Sequence, residues 1–153
     1  MTVSTGKKIQ AFSADATAGR FELGAHAGRV LVLYFYPKDS TPGCTTEAEG
    51  FRDAHAAFAS ANALIFGISR DSLKSHENFK AKLGLPFELI SDADEAVCTQ
   101  FEVIKMKNMY GKQVRGIERS TFVVGTDGTL LREWRGLKVP GHVDEVLAFV
   151  QSL

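Results

Sequence analysis

The stretch Pro37-Lys38-Asp39-Ser40-Thr41-Pro42-Gly43-Cys44-Thr45-Thr46-Glu47 is where residue types and spacing best suit covalent chemistry. It follows an apolar run at 30–36 that is short, aromatic and β-branched, which predicts a buried strand. Turn formers come next, and from Thr45 onward the pattern is helical. Cys44 therefore belongs where a loop becomes the first turn of a helix. Unpaired backbone N–H groups and the positive end of the helix dipole gather there. A sulfur in that place is stabilised as the thiolate, its nucleophilic form. Phe51, Ala54 and Phe58 recur at helical spacing, and Cys44 and Ala48 extend the stripe backwards. Cys44 is thus expected at the inner edge of its helix.

The neighbours have chemical and bland readings side by side. An isolated cysteine is most simply an inert buried thiol, and loop prolines and threonines are usually turn chemistry. Thr41, three residues before Cys44, can place a hydroxyl near the sulfur. Pro37 and Pro42 stiffen the loop and can shield the sulfur from water. Gly43, without a side chain, lets its backbone approach a bound molecule closely. Glu47 lies near the same helix face as Cys44. A bare carboxylate there disfavours a thiolate, so it suits the site only when paired with a cation such as Arg119. Its other reading is an ordinary first-turn Glu favoured by the dipole. Arg119, just before an apolar run, reads by itself as a strand-flanking surface charge.

The elements that must hold these residues alternate. A short strand is expected at 21–23, with Gly24 and Gly28 in the loop that follows. The strand at 30–36, the helix carrying Cys44 and a buried strand at 64–69 come next. A helix then starts near Ser72, shows Leu73, Phe79 and Leu83, and stops at Gly84. A third strand covers 87–90. Asp92 with Glu95 resembles a capping box opening a short helix through Phe101. Runs at 121–124 and 129–134 flank Gly125-Thr126-Asp127-Gly128, a hairpin signal. Val143, Val146, Leu147 and Val150 stripe a last helix. This order predicts an α/β sandwich with parallel pairing early and an antiparallel edge late; order alone leaves a flavodoxin-like sheet open. Residues 106–115 read as a solvated loop, or else as a rim in which Lys107, Met109, Tyr110, Lys112 and Arg115 contact substrate or a reductant.

Composition narrows the function classes. The 153 residues suit one domain, 1–153. Eighteen basic residues balance eighteen acidic ones, which gives no reason to expect nucleic acid or an anionic membrane as partner. No secretory signal or membrane-spanning segment is expected. The two cysteines make no disulfide framework, so a reducing cytoplasm is expected. His26, His55, His76 and His142 show no metal-ligand spacing. There is no Cys-x-x-Cys of a disulfide reductase, and no phosphate-binding glycine fingerprint.

Pro37, Thr41 and Cys44 match the Pro-x-x-x-Thr/Ser-x-x-Cys signature of the peroxiredoxins, the thiol peroxidases. The wider stretch 34–47 resembles the PrxQ branch, also called bacterioferritin comigratory protein. Ile117-Glu118-Arg119-Ser120-Thr121-Phe122 is similar to the family strand that carries an active-site Arg. The resemblance covers nearly the whole chain. It implies a thioredoxin-like fold, a central mixed sheet flanked by helices with an N-terminal extension, and no cofactor or metal. It implies that Cys44 attacks hydrogen peroxide and organic hydroperoxides, that Arg119 faces the thiolate and polarises the peroxide, and that Glu47 orients Arg119. It also suggests a monomer.

The chain departs from this family in its second thiol. The two positions where PrxQ proteins carry a resolving cysteine hold Glu49 and Lys80. Cys98, in a short apolar helix, is the remaining cysteine. A 1-Cys-type peroxidase recycled by an external thiol, thioredoxin or glutathione with glutaredoxin, is therefore expected. An atypical 2-Cys cycle through Cys98, a peroxide sensor that relays oxidation, and a holdase are the competing readings.

Overall fold

Apolar runs become inner strands and striped segments become the helices that cover them. The computed structural model describes residues 3–153, and for Lys107 and Met109 the backbone only, so the part of those two side chains in the expected rim lies outside the described residues. In chain order the elements are β1 Ser13–Ala16, β2 Gly19–Glu22, a 3-10 turn Leu23–His26, β3 Val30–Phe35, α1 Pro42–Asp53, α2 His55–Ser60, β4 Ala63–Ser69, α3 Leu73–Leu83, β5 Glu88–Ser91, α4 Ala96–Gln100, β6 Ile104–Met109, β7 Lys112–Ile117, β8 Ser120–Val124, β9 Leu130–Arg135 and α5 His142–Gln151. Seven strands form one sheet in the order β2-β1-β5-β4-β3-β8-β9. β3, β4 and β5 are parallel; β8 and β9 extend the β3 side antiparallel, and β1 and β2 extend the β5 side antiparallel. This is the mixed central sheet, flanked by helices, of the thioredoxin fold.

β3 is an inner strand, between β4 and β8, and all six of its residues are buried. Side chains alternate across a strand, so β3 feeds two cores. Leu31, Leu33 and Phe35 pack with Ile68, Val97, Cys98, Phe101 and Phe122. Val32, Tyr34 and the following Tyr36 pack with Cys44, Ala48, Phe51, Phe58, Phe79 and Val146. The two cysteines thus belong to cores on opposite faces of the sheet. α3 follows the expected punctuation: Ser72 Oγ accepts the Ser75 N–H at 3.2 Å, and Gly84 ends the helix at φ +64°.

Four local expectations are corrected. The early strand is half of a β1–β2 hairpin; Ala14 and Ala16 are the buried residues of β1, too small to stand out as a hydrophobic pattern. The stripe running past Cys44 is divided at Ala54 (φ −94°, ψ 0°) into α1 and α2, although Phe51 and Phe58 both stay in the core. The Asp92–Glu95 capping box does not form. Asp92 accepts the Val97 and Cys98 N–H groups at 3.0 and 2.7 Å, while the Glu95 carboxylate turns to Arg70 and Arg115. Residues 106–115 belong to a two-stranded ribbon of β6 and β7, not a loop. It reverses at Tyr110 and Gly111, both at positive φ, as a tight hairpin requires. Among the described residues no helix is long and apolar enough to cross a membrane.

Candidate active site

Cys44 is the third residue of α1, the helix preceded by Thr41 as N-cap, with Pro42 at the first position where its missing N–H costs nothing. The Thr45 N–H closes the first turn onto Thr41 O at 2.8 Å. Cys44 is 2% exposed, at the inner edge of the helix as the stripe predicts.

Arg119, between β7 and β8, reaches it from a distant part of the chain. Arg119 Nη2 lies 3.4 Å from Cys44 Sγ, and Nη1 donates to Glu47 Oε1 at 2.7 Å. One guanidinium therefore bridges a sulfur and a carboxylate that are three residues apart on α1. A rigid fork of donors can do this where a lysine cannot. The strand-flanking surface reading of Arg119 is thereby set aside, and Glu47 is paired, not bare. Burial works against the Arg119 charge, but Glu47 and Cys44 outweigh it and hold the guanidinium above its ordinary value.

Glu47 is fully buried. Burial pushes its carboxyl up to about 7, with the Arg119 charge and hydrogen bond pulling the other way. Its second oxygen, Oε2, finds no hydrogen-bond partner among the described residues. Gly43 has a reason beyond backbone access: a Cβ there would lie 3.2 Å from Arg119 Nη2. The glycine leaves room for the guanidinium.

Thr41 is placed differently from the direct sulfur contact. Its hydroxyl donates to Lys38 O at 2.9 Å, which leaves the oxygen lone pairs as acceptors. Pro37 is half-buried where the chain leaves the sheet. Cys98 is wholly buried. Burial, and then the Asp92 carboxylate beside it, push its thiol well above the ordinary range. Met106 and Tyr110 stand exposed on the ribbon, and Arg115 is paired with Glu95.

The pattern of the sequence missed a buried polar knot at the head of the Cys44 loop. Asp39 accepts the Tyr36 hydroxyl at 2.6 Å and the Ser75 hydroxyl at 2.8 Å, and faces His76 Nδ1 at 2.7 Å. Its backbone N–H donates to Asp71 Oδ2 at 3.0 Å, and Ser69 Oγ donates to the same oxygen at 2.5 Å. Asp39, Asp71 and His76 have ligand-type atoms within 4.8 Å of one another, although their sequence spacing showed no such cluster. Those atoms already bond each other and Tyr36, Ser69 and Ser75, so the cluster is a hydrogen-bond knot. The available signal was helical: His76 lies three residues before Phe79, on the inner face of α3.

The chain is similar to several known proteins. The sequence pattern described as the AhpC/TSA family matches residues 5–132. Peroxiredoxin Bcp of Xanthomonas campestris is 59% identical over 130 residues, spanning 85% of this chain and 81% of that protein. Peroxiredoxin Bcp of Bacillus subtilis is 44% identical over 154 residues, spanning 100% of this chain and 98% of that protein. Among solved structures, the Xanthomonas campestris bacterioferritin comigratory protein, studied for its alkyl peroxide reduction activity, superposes with a TM-score of 0.88. It is 54% identical, and the match covers 92% of this chain and 90% of that one.

Proposed function

The chain belongs to the AhpC/TSA family, as a thiol peroxidase of the PrxQ/bacterioferritin comigratory branch, and from that premise we propose that Cys44 is the peroxidatic nucleophile of a 1-Cys cycle. The Cys44 thiolate attacks one oxygen of hydrogen peroxide or an organic hydroperoxide. A sulfur–oxygen bond forms, the O–O bond breaks, and the other oxygen leaves with the electron pair and takes up a proton as water or alcohol. Cys44 becomes a sulfenic acid. Both electrons come from sulfur, so the step calls for no cofactor or metal.

The observation that carries this reading is the Arg119 guanidinium held against Cys44 Sγ by buried Glu47. Its charge favours the thiolate and stabilises the developing charge on the departing oxygen. Thr41 offers lone pairs to the peroxide O–H, and Pro37 stiffens the loop that carries both. Residues 1–153 act as one catalytic domain, as a monomer in the cytoplasm.

Recycling falls to an external thiol, thioredoxin or glutathione with glutaredoxin. A first thiol condenses with the sulfenic acid and releases water; a second releases Cys44 by exchange. Three features support this. Cys98 packs on the opposite sheet face from Cys44, and a disulfide needs Cα atoms within about 7 Å. Its thiol is shifted away from the thiolate. Lys80, where an α3 resolving thiol would stand, is ion-paired with Glu88 at 2.7 Å. The test is turnover of Cys98→Ser with an external thiol, beside Cys44→Ser. Retained turnover in the first and none in the second is expected. Loss of turnover in Cys98→Ser, with a rapid Cys44–Cys98 disulfide in the parent, would restore the 2-Cys cycle. A lasting mixed disulfide with one protein, in place of turnover, would make the molecule a sensor.

A further inference from the structure

His76 is held at both ring nitrogens. Nε2 lies 2.9 Å from Ile90 O, a carbonyl that only accepts, so Nε2 donates to it. Nδ1 lies 2.7 Å from Asp39 Oδ2, with a hydrogen bond between them. The pair is enclosed, with His76 at 0% and Asp39 at 5% exposure. Buried polar groups persist where they are hydrogen-bonded, and the Tyr36 and Ser75 hydroxyls complete the set around Asp39.

The place of this pair makes it more than a strut. Asp39 sits between Pro37 and Thr41, and both its side chain and its backbone N–H are tied down. Lys38 O, the next carbonyl back, receives the Thr41 hydroxyl. Ser40 turns the chain at φ +63°, a left-handed conformation that a non-glycine residue keeps only when its surroundings hold it. Directly after it come Thr41 and the first turn of α1 with Cys44. Arg119 arrives independently, from the junction of β7 and β8. The knot on α3 thus sets one side of the reacting geometry, and the β-sheet sets the other.

We propose that His76 is a positioning residue for peroxide attack: clamped between Asp39 and the Ile90 carbonyl, it fixes the loop that aligns Thr41 and Cys44 against Arg119. This rests on Cys44 being the nucleophile. Misplacing reacting groups by about 1 Å costs about a hundredfold in rate. Alkylation of Cys44 by iodoacetamide needs the thiolate but not the alignment, so it separates positioning from activation.

The experiment compares the parent, His76→Gln, Asp39→Asn and the double variant by stopped-flow oxidation of Cys44 with hydrogen peroxide. It is run beside iodoacetamide alkylation and thermal melting. The expected result is a fall of about a hundredfold in peroxide attack in each single variant, no further fall in the double variant, and alkylation within a few-fold of the parent. If His76→Gln does not fold, Ser75→Ala, which removes one donor to Asp39, should show the same split to a smaller degree. Folded variants that attack peroxide within twofold of the parent would overturn the proposal. So would alkylation falling in parallel with peroxide attack. A parent in which peroxide leaves Cys44 unmodified would instead overturn the nucleophile assignment.

Discussion

Replacing Glu47 with Gln removes a buried charge and keeps the side-chain shape, and its effect on stability should depend on pH. Inside the fold the Glu47 carboxyl is pushed up to about 7, from an ordinary value of 4.5, by burial that Arg119 only partly offsets. At about 1.36 kcal/mol per pH unit, ionising it in the folded chain costs about 3 kcal/mol more than in the unfolded chain. Below about pH 4.5 the group is protonated in both states and the cost is absent. Between there and about pH 7 the folded state binds more protons than the unfolded one. Stability contributed at this residue therefore falls as pH rises, and the whole cost is present above pH 7. Gln carries no such cost at any pH. Urea unfolding of parent and variant at intervals from about pH 4.5 to pH 8 measures it, because groups that titrate alike in both proteins cancel in the difference. The stability of the variant relative to the parent should rise by about 3 kcal/mol across that range and then level off. A difference that stays flat would refute the reasoning. A difference that falls with pH would show that the Arg119 ion pair outweighs burial.

Arg119→Ala removes one donor from the departing oxygen and should slow peroxide attack by about a hundredfold, about 3 kcal/mol, by stopped-flow. Gly43→Ala puts a methyl group 3.2 Å from Arg119 Nη2. It should displace the guanidinium and slow attack while the thermal melt stays near that of the parent. Gly67→Ala puts a Cβ 2.8 Å from Leu89 Cδ2 and from the Tyr34 ring and hydroxyl, inside the sheet. It should destabilise the fold by about 1–3 kcal/mol in urea, with activity per folded molecule unchanged.

The features legible in the sequence were those written into local pattern. The aromatic run of β3, the loop with its two prolines, the Ser72 and Gly84 bounds of α3 and the stripe of α5 all follow from spacing. The β6–β7 ribbon reads as a loop because the first four residues of β7 are all exposed, which leaves no alternation to see. The β1–β2 hairpin hides behind alanines. The capping box failed because Glu95 had two arginines to satisfy, from 25 and 20 residues away. Residue type allowed the Arg119–Glu47 pair and the resemblance favoured it, while the depth of Glu47 and the room left by Gly43 depend on packing. The knot of Asp39 with His76 joins residues 37 apart, on a loop and a helix that meet only in the folded chain. The separation of Cys44 from Cys98 by the sheet likewise follows from which face each helix covers, a property of topology.

The most direct test of the central claim is the mass spectrum of the intact protein and its Cys44 peptide after one equivalent of hydrogen peroxide, without added thiol and with dimedone present. The expected product is the dimedone thioether of Cys44, formed from its sulfenic acid with loss of the added oxygen as water, with Cys98 a free thiol. Loss of two hydrogens with Cys44 and Cys98 joined in one cross-linked peptide would contradict it.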